Sequence, residues 1–173
     1  QKIDSDFLFI AADVPALSKK TYRILNRIPK GFAADPVKVS EEGDYFKIES
    51  RAAVSKLHKL SGCIGSHTDR ALNRELVSYG VDIPLTHVPS THRDIALNVF
   101  QVRDEAPNTM SAWLMNDILK EESLLRNAAV KLMETGPVFA RFRVTHKFRS
   151  SSIEEDVLYY HDVSRVDFEA RID

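Results

Sequence analysis

The fold is decided in the stretch Val138-Phe139-Ala140-Arg141-Phe142-Arg143-Val144-Thr145-His146-Lys147-Phe148. Its even positions are mostly apolar, and its odd positions after Phe139 carry arginine, threonine and lysine. A period of two places one set of side chains on a core face and the other set in solvent, as in a β-strand. The same alternation recurs over residues 165–172, where apolar residues alternate with charged ones. Both segments therefore predict strands with one buried face.

Two further strands are predicted beside these. One covers residues 128–133 and ends before Gly136-Pro137, a pair that suits the start of the next strand because proline is tolerated there. The other covers residues 153–160 and ends in the strand-favouring Leu158-Tyr159-Tyr160. The connections are short and rich in turn residues, which favours antiparallel hairpins. We predict a four-stranded antiparallel meander over residues 128–173.

The first half of the chain is less regular. We expect residues 7–11 and 21–28 to form a strand pair, and residues 45–50 and 53–60 to form two more strands. Prolines and glycines make residues 29–43 a predicted linker. Two segments keep two interpretations each: residues 68–77 are a short helical turn or a loop that leads into a strand, and residues 111–125 are helix or strand.

Composition excludes several classes of function. The chain has 173 residues, with 24 Lys+Arg against 25 Asp+Glu and a net charge of −1, so we expect no nucleic-acid partner. No apolar stretch approaches the ~20 residues of a membrane helix, and no membrane partner is expected. The single cysteine, Cys63, cannot form an internal disulfide, which favours a reducing, cytoplasmic location. Because the first residue is not methionine and a patterned segment runs to Asp173, we expect a piece of a longer protein.

The histidines and Cys63 are candidate metal ligands. His87 and His92 are five residues apart across a loop that contains proline, where a helical ligand pair cannot form. Cys63, His67 and His58 could in principle supply three ligands, but no Cys-x-x-Cys spacing accompanies them. We therefore expect no metal site in this chain, and we expect Cys63 to be a small buried apolar residue.

Carboxylates are candidates for an acid–base pair, because glycoside hydrolysis needs two carboxyl groups that flank the glycosidic bond. Glu121-Glu122 and Glu154-Glu155-Asp156 are adjacent in sequence, and neighbours on a strand point to opposite faces. Asp167 and Glu169 share a face but alternate with arginines, which is typical of a solvated charge ladder. No Gly-x-Ser-x-Gly nucleophile motif is present. We predict no catalytic residue in this chain.

Three groups of motifs occur in order along the chain. They are Asp13-Val14-Pro15-Ala16-Leu17 with Thr21-Tyr22-Arg23; Ile64-Gly65-Ser66-His67-Thr68-Asp69-Arg70 with Arg74-Glu75-Leu76; and Glu134-Thr135-Gly136-Pro137-Val138-Phe139-Ala140, Ser151-Ser152-Ile153-Glu154-Glu155-Asp156-Val157 and Arg165-Val166-Asp167-Phe168-Glu169-Ala170-Arg171-Ile172-Asp173. Together they resemble the β-sandwich region of glycoside hydrolase family 38 α-mannosidases. Ser18-Lys19-Lys20 departs from the family pattern, which more often has Gly-Tyr-x there.

The resemblance implies an all-β fold, an antiparallel β-sandwich of the supersandwich, galactose-mutarotase-like kind, of which this chain is a fragment. Residues 1–35 would end a small linking β-domain, and residues 36–173 would form part of the large sandwich. The family's zinc, its ligands and its aspartate nucleophile belong to a catalytic domain that this chain lacks. The resemblance thus implies no catalytic, cofactor or metal residue here.

The same resemblance implies a scaffold, or support for the substrate cleft, in a parent enzyme that hydrolyses α-mannosides with retention. Its partners would be the rest of the parent polypeptide and, through it, the mannoside substrate. The alternative is a carbohydrate-binding module that recognises mannosides by stacking on Trp113, Tyr159 or Tyr160. Packing against the core is the more common use of such aromatic residues.

Overall fold

The computed structural model describes residues 2–3, 6–9, 11, 13–24, 35–77, 97–107 and 114–173. All regular secondary structure in these ranges is β-strand, and no helix there has the length and apolar character that a membrane span requires. The strands are β1 Lys2–Ile3, β2 Asp6–Phe7, β3 Lys38–Glu42, β4 Tyr45–Glu49, β5 Ala53–His58, β6 Ile64–Asp69, β7 Arg74–Glu75, β8 Gln101–Glu105, β9 Ile118–Ser123, β10 Ala129–Thr135, β11 Phe139–Phe148, β12 Ser151–Tyr160 and β13 Val166–Ile172.

The predicted meander is confirmed. β10, β11, β12 and β13 form one antiparallel sheet in chain order. A two-residue turn at Arg149 and Ser150 joins β11 to β12, and Arg149 takes a positive φ of 52° there. This tight turn fixes the register, so Phe142 lies opposite Val157 and the alternating apolar residues of both strands share one face.

The second large sheet contains β3 to β7, also antiparallel and in chain order. It confirms the strands predicted over residues 45–50 and 53–60. The linker predicted over residues 29–43 is wrong for Lys38–Glu42, which is strand β3. The sequence signal is weak because β3 is an edge strand with a single apolar residue, Val39, and is otherwise largely exposed. The domain boundary predicted between residues 35 and 36 stays a prediction.

The two large sheets pack face to face. Ile48, Leu57 and Ile64 from the five-stranded sheet form one buried cluster with Phe142 and Val157 from the meander. Burying one such side chain contributes about 1.5–3 kcal/mol, so this cluster is the main force between the sheets. An all-β, antiparallel sandwich is therefore confirmed.

The meander extends beyond the part that the other sheet covers. On β13, Phe168 lies opposite Val157 and Ile172 lies opposite Ile153, so both face the core side. Yet Phe168 is 38 % exposed and Ile172 is 66 % exposed. The inner face of β13 is thus only partly covered by the described residues.

The strand pair predicted over residues 7–11 and 21–28 is wrong where the structure describes it. β2 pairs with β1 instead, and residues 21–24 are not in a strand; residues 25–28 lie outside the described ranges. The physical reason is a local turn. Asp13 and Leu17 take positive φ angles, and Ser18 donates hydrogen bonds from its backbone N–H and its hydroxyl to the Pro15 carbonyl.

The two segments with open interpretations are both resolved towards strands. Within residues 111–125, β9 covers Ile118–Ser123 and forms a hairpin with β8. Residues 68–77 contain the end of β6, a turn and the short β7. The Leu72 N–H donates to Asp69 Oδ1 at 2.9 Å, so Asp69 caps this turn.

Candidate functional site

The densest hydrogen-bond cluster surrounds Glu75, in one of the motifs that carry the family resemblance. Its carboxylate accepts hydrogen bonds from the hydroxyls of Ser66 (2.5 Å) and Thr68 (3.0 Å). It also accepts from the backbone N–H groups of His67 and Val77, both at 2.8 Å. Burial raises the pKa of Glu75, but these four donors outweigh burial and lower the pKa overall. Glu75 is thus an ionised anchor that holds β7 against β6.

His67 extends this cluster across the sandwich. Its Nδ1 is 2.7 Å from Ser55 Oγ on β5, and its Nε2 is 3.1 Å from Ser164 Oγ in the connection between β12 and β13. Burial lowers the pKa of His67, which favours the neutral ring. The Ser164 hydroxyl also helps to lower the pKa of Asp69, after the backbone N–H of Leu72. The arrangement ties the two large sheets together at one end.

A buried carboxylic acid lies on the inner face of the meander. Glu155 is 2 % exposed, and its Oε2 accepts one hydrogen bond from Asn98 Nδ2 at 2.7 Å. Burial raises the pKa of Glu155. The neighbouring Tyr159 hydroxyl is buried and has no hydrogen-bond partner within the described ranges, and burial raises its pKa well above the ordinary value. No role is predicted for Glu155 from the sequence; the signal that could have found it is its place in line with Ile153, Val157 and Tyr159, every second residue of one strand.

The outer face of the meander carries ion pairs. Asp156 accepts two hydrogen bonds from Arg143, at 2.8 and 2.9 Å, and one from Arg141 at 3.3 Å. The Arg143 guanidinium lowers the pKa of Asp156. On β13, Asp167 pairs with Arg165, in agreement with the predicted charge ladder. Glu154 and Asp156 lie on this face and Glu155 on the other, as expected for strand neighbours.

The residues weighed as metal ligands have other contacts. His58 Nδ1 is 2.8 Å from Ser61 Oγ, and both ring nitrogens of His67 are hydrogen-bonded to serines. Cys63 is buried, and burial raises the pKa of its thiol to about 11, so it holds its proton. Among the described residues, no group of three or more His, Cys, Asp and Glu side chains could hold a metal ion. His87 and His92 lie outside those residues.

The two candidate sugar-stacking residues that the structure describes, Tyr159 and Tyr160, do not present a free ring face to solvent. Tyr159 is 2 % exposed and packs edge-on against Phe142 in the core. Tyr160 is half-buried, donates its hydroxyl proton to Asp167, and has the Arg165 guanidinium 5.9 Å from its ring centre. Trp113 lies outside the described ranges.

These features define a class of protein: an antiparallel β-sandwich domain whose buried polar side chains connect its two sheets. The family model for the glycosyl hydrolases family 38 C-terminal domain matches residues 54–173, from within β5 to the last strand. Since this match covers more than half of the chain, the chain belongs to that family. No curated protein matches the chain.

Proposed function

We propose that this chain is the non-catalytic β-sandwich part of a glycosidase that hydrolyses α-mannosides with retention. The observation that carries the proposal is the family match over residues 54–173. The chain supports the fold of the parent enzyme and the walls of its substrate cleft. Its partners are the rest of the parent polypeptide and, through that polypeptide, a mannoside.

The contacts of the polar residues support a scaffold role. Glu75, His67 and Asp156 each have several hydrogen-bond partners within the sandwich. A carboxylate that serves as nucleophile or acid needs room for a sugar beside it, whereas Asp156 is fixed between two arginines.

The parent reaction would use zinc to orient sugar hydroxyls. The described residues do not fit such a metal, because the Cys63 thiol holds its proton and both nitrogens of His67 are engaged by serines. In this proposal, as the family resemblance implies, zinc, the aspartate nucleophile and the general acid belong to the catalytic domain of the parent enzyme.

The first test compares the isolated chain with the longest reading frame that contains it. Both are purified and assayed on 4-nitrophenyl α-mannoside, with and without added zinc. We expect turnover from the longer protein only, and a product that NMR first detects as the α-anomer. Turnover by the isolated chain, or none by the longer protein, would contradict the proposal.

The scaffold role is tested in the longer protein with a core variant and a surface control. Gly62→Ala disturbs the contact between Gly62 and Val144, whereas Lys38→Ala changes an exposed side chain. We expect Gly62→Ala to lower the melting temperature and the activity together, and Lys38→Ala to change neither. Unchanged activity in a destabilised Gly62→Ala protein would argue against cleft support.

The carbohydrate-binding alternative has a separate test, since the environments of Tyr159 and Tyr160 argue against stacking on sugar. The isolated chain is titrated with mannose oligosaccharides in a calorimeter. We expect no heat of binding at millimolar sugar. Heat that the Tyr160→Ala variant abolishes would establish a binding module instead.

A further inference from the structure

A groove of about 560 Å³ lies beside the turn between β11 and β12. One wall comes from the β8–β9 hairpin and the segment that follows it, and the other comes from the end of β11. The Arg149 guanidinium contacts both carboxylate oxygens of Asp104, at 2.7 and 2.6 Å, and so joins the turn to the hairpin. The volume is within the range of small-molecule sites, about 300–1,000 Å³.

Part of the groove lining is apolar. Leu124 and Leu125 are buried, and Val102 and Phe148 are half-buried. The accessible lining is more polar than apolar, so the groove suits a polar ligand that carries a small apolar part.

Two of the basic side chains that line the groove have no carboxylate partner among the described residues. Arg149 is neutralised by Asp104, and the Glu122 carboxylate is 3.6 Å from Lys120. Arg126 and Lys147 are exposed, line the groove and form no ion pair with any residue that the structure describes. Guanidinium and ammonium groups both bind phosphate oxygens, so these two lining residues favour an anionic ligand.

Two residues with left-handed backbone angles fix the course of the groove walls. Asn127 and Arg149 line the groove with φ angles of 62° and 52°. Arg149 takes this angle in the two-residue turn between β11 and β12, and asparagine adopts the left-handed region more readily than most residues.

We propose that this groove binds a small organic phosphomonoester. Arg126 and Lys147 contact the phosphate, and the organic body lies against the apolar side chains of Leu124, Leu125 and Phe148. A phosphomonoester carries about −1.5 to −2 charge at neutral pH, which matches the two unneutralised cations better than a carboxylate does. The site is separate from the scaffold function proposed above and does not depend on it.

The test is a titration of the isolated ¹⁵N-labelled chain with phenyl phosphate, followed by NMR. Benzoate and phenol serve as ligands with one charge and none. We expect a dissociation constant on the order of 1 mM for phenyl phosphate. We expect weaker binding of benzoate, none of phenol, and shifts that centre on residues 122–127 and 147–149.

Variants separate a built site from general attraction of anions. Arg126→Gln and Lys147→Gln should each weaken phenyl phosphate binding about two- to fivefold, as expected for exposed ion pairs. Lys131→Gln removes an exposed cation on β10 that does not line the groove, and should leave binding unchanged. The same spectra show whether each variant is folded. The proposal is overturned by absent shifts at about 10 mM phenyl phosphate, by benzoate binding of equal strength, or by equal weakening in Lys131→Gln.

Discussion

Replacing Glu155 by glutamine should stabilise the sandwich at neutral and alkaline pH. Glu155 is 2 % exposed, and among the described residues its side chain accepts a hydrogen bond from the uncharged Asn98 amide, which leaves the charge of an ionised carboxylate unneutralised. The buried titratable groups described near it are the Cys63 thiol, the Tyr159 phenol and, on the same face of β11, the His146 ring. Burial raises the pKa of Cys63 and Tyr159 and lowers the pKa of His146, so none of the three supplies a positive charge at neutral and alkaline pH.

The direction of the pH dependence follows from the raised pKa of Glu155. Between the unfolded and the folded pKa, the folded state binds more protons than the unfolded state. The free energy of unfolding therefore falls as pH rises through this window, and the loss is complete above the folded pKa. Glutamine keeps an oxygen that can accept from Asn98 and carries no charge, so the Glu155→Gln protein should lose this part of the pH dependence.

The expected gain is about 1–2 kcal/mol near pH 8. Leaving a buried polar group poorly satisfied costs about 1–3 kcal/mol, and more when the group is charged. Part of the gain is lost because the new amide N–H₂ also needs partners in the core. At about pH 3 the glutamate is almost fully protonated in both states, and the two proteins should be equally stable within about 0.5 kcal/mol.

The measurement is urea unfolding followed by circular dichroism at several pH values. Glu154→Gln is the matched control, because Glu154 is the strand neighbour on the outer face, 3.3 Å from Arg143. It should not become more stable at alkaline pH. If Glu155→Gln keeps the wild-type decline of stability with pH, or is less stable at pH 8, the reasoning about Glu155 is refuted.

Three other variants test separate contacts. Gly62→Ala should lower the free energy of unfolding by about 2–4 kcal/mol, because Gly62 has a φ of 69° and a Cβ there would be 2.3 Å from Val144 Cγ1. The measurement is calorimetric unfolding, and an unchanged melting temperature would contradict this close packing. Glu75→Gln should lower the free energy of unfolding by about 1–2 kcal/mol near pH 7, and the difference from the wild type should disappear as pH falls through the lowered pKa of Glu75. A loss of stability that persists in acid would mean that the charge of Glu75 is irrelevant. Asp156→Asn should lower the free energy of unfolding in urea by about 1 kcal/mol at low salt and by less at high salt, because the variant weakens the ion pair with Arg143. Equal losses of stability at both salt concentrations would point to packing instead.

The meander was predictable because its central strands have one buried and one solvated face. On β11, Phe142 and Val144 are buried while Arg141 and Arg143 lie in the outer ion pairs, so the burial reproduces the alternation. β3 was missed because an edge strand buries little, and its sequence Lys-Val-Ser-Glu-Glu shows almost no apolar periodicity. Strand prediction from alternation therefore succeeds only where the sheet is covered.

The polar contacts were less predictable, because they join residues far apart in sequence. His67 contacts Ser164, 97 residues away, and Glu155 contacts Asn98, 57 residues away. No local pattern encodes such pairs. The groove was missed because separate segments that no motif marks form its walls.

The partly uncovered strand β13 has a consequence for how the isolated chain behaves at high concentration. Its exposed Phe168 and Ile172 lie beside an outer backbone edge that pairs with no other strand in the described part of the chain. Such an edge is a template on which a strand of a second molecule can add. At high concentration, monomers of the isolated chain will therefore be lost through association between molecules, even under conditions where each sandwich is far from unfolding.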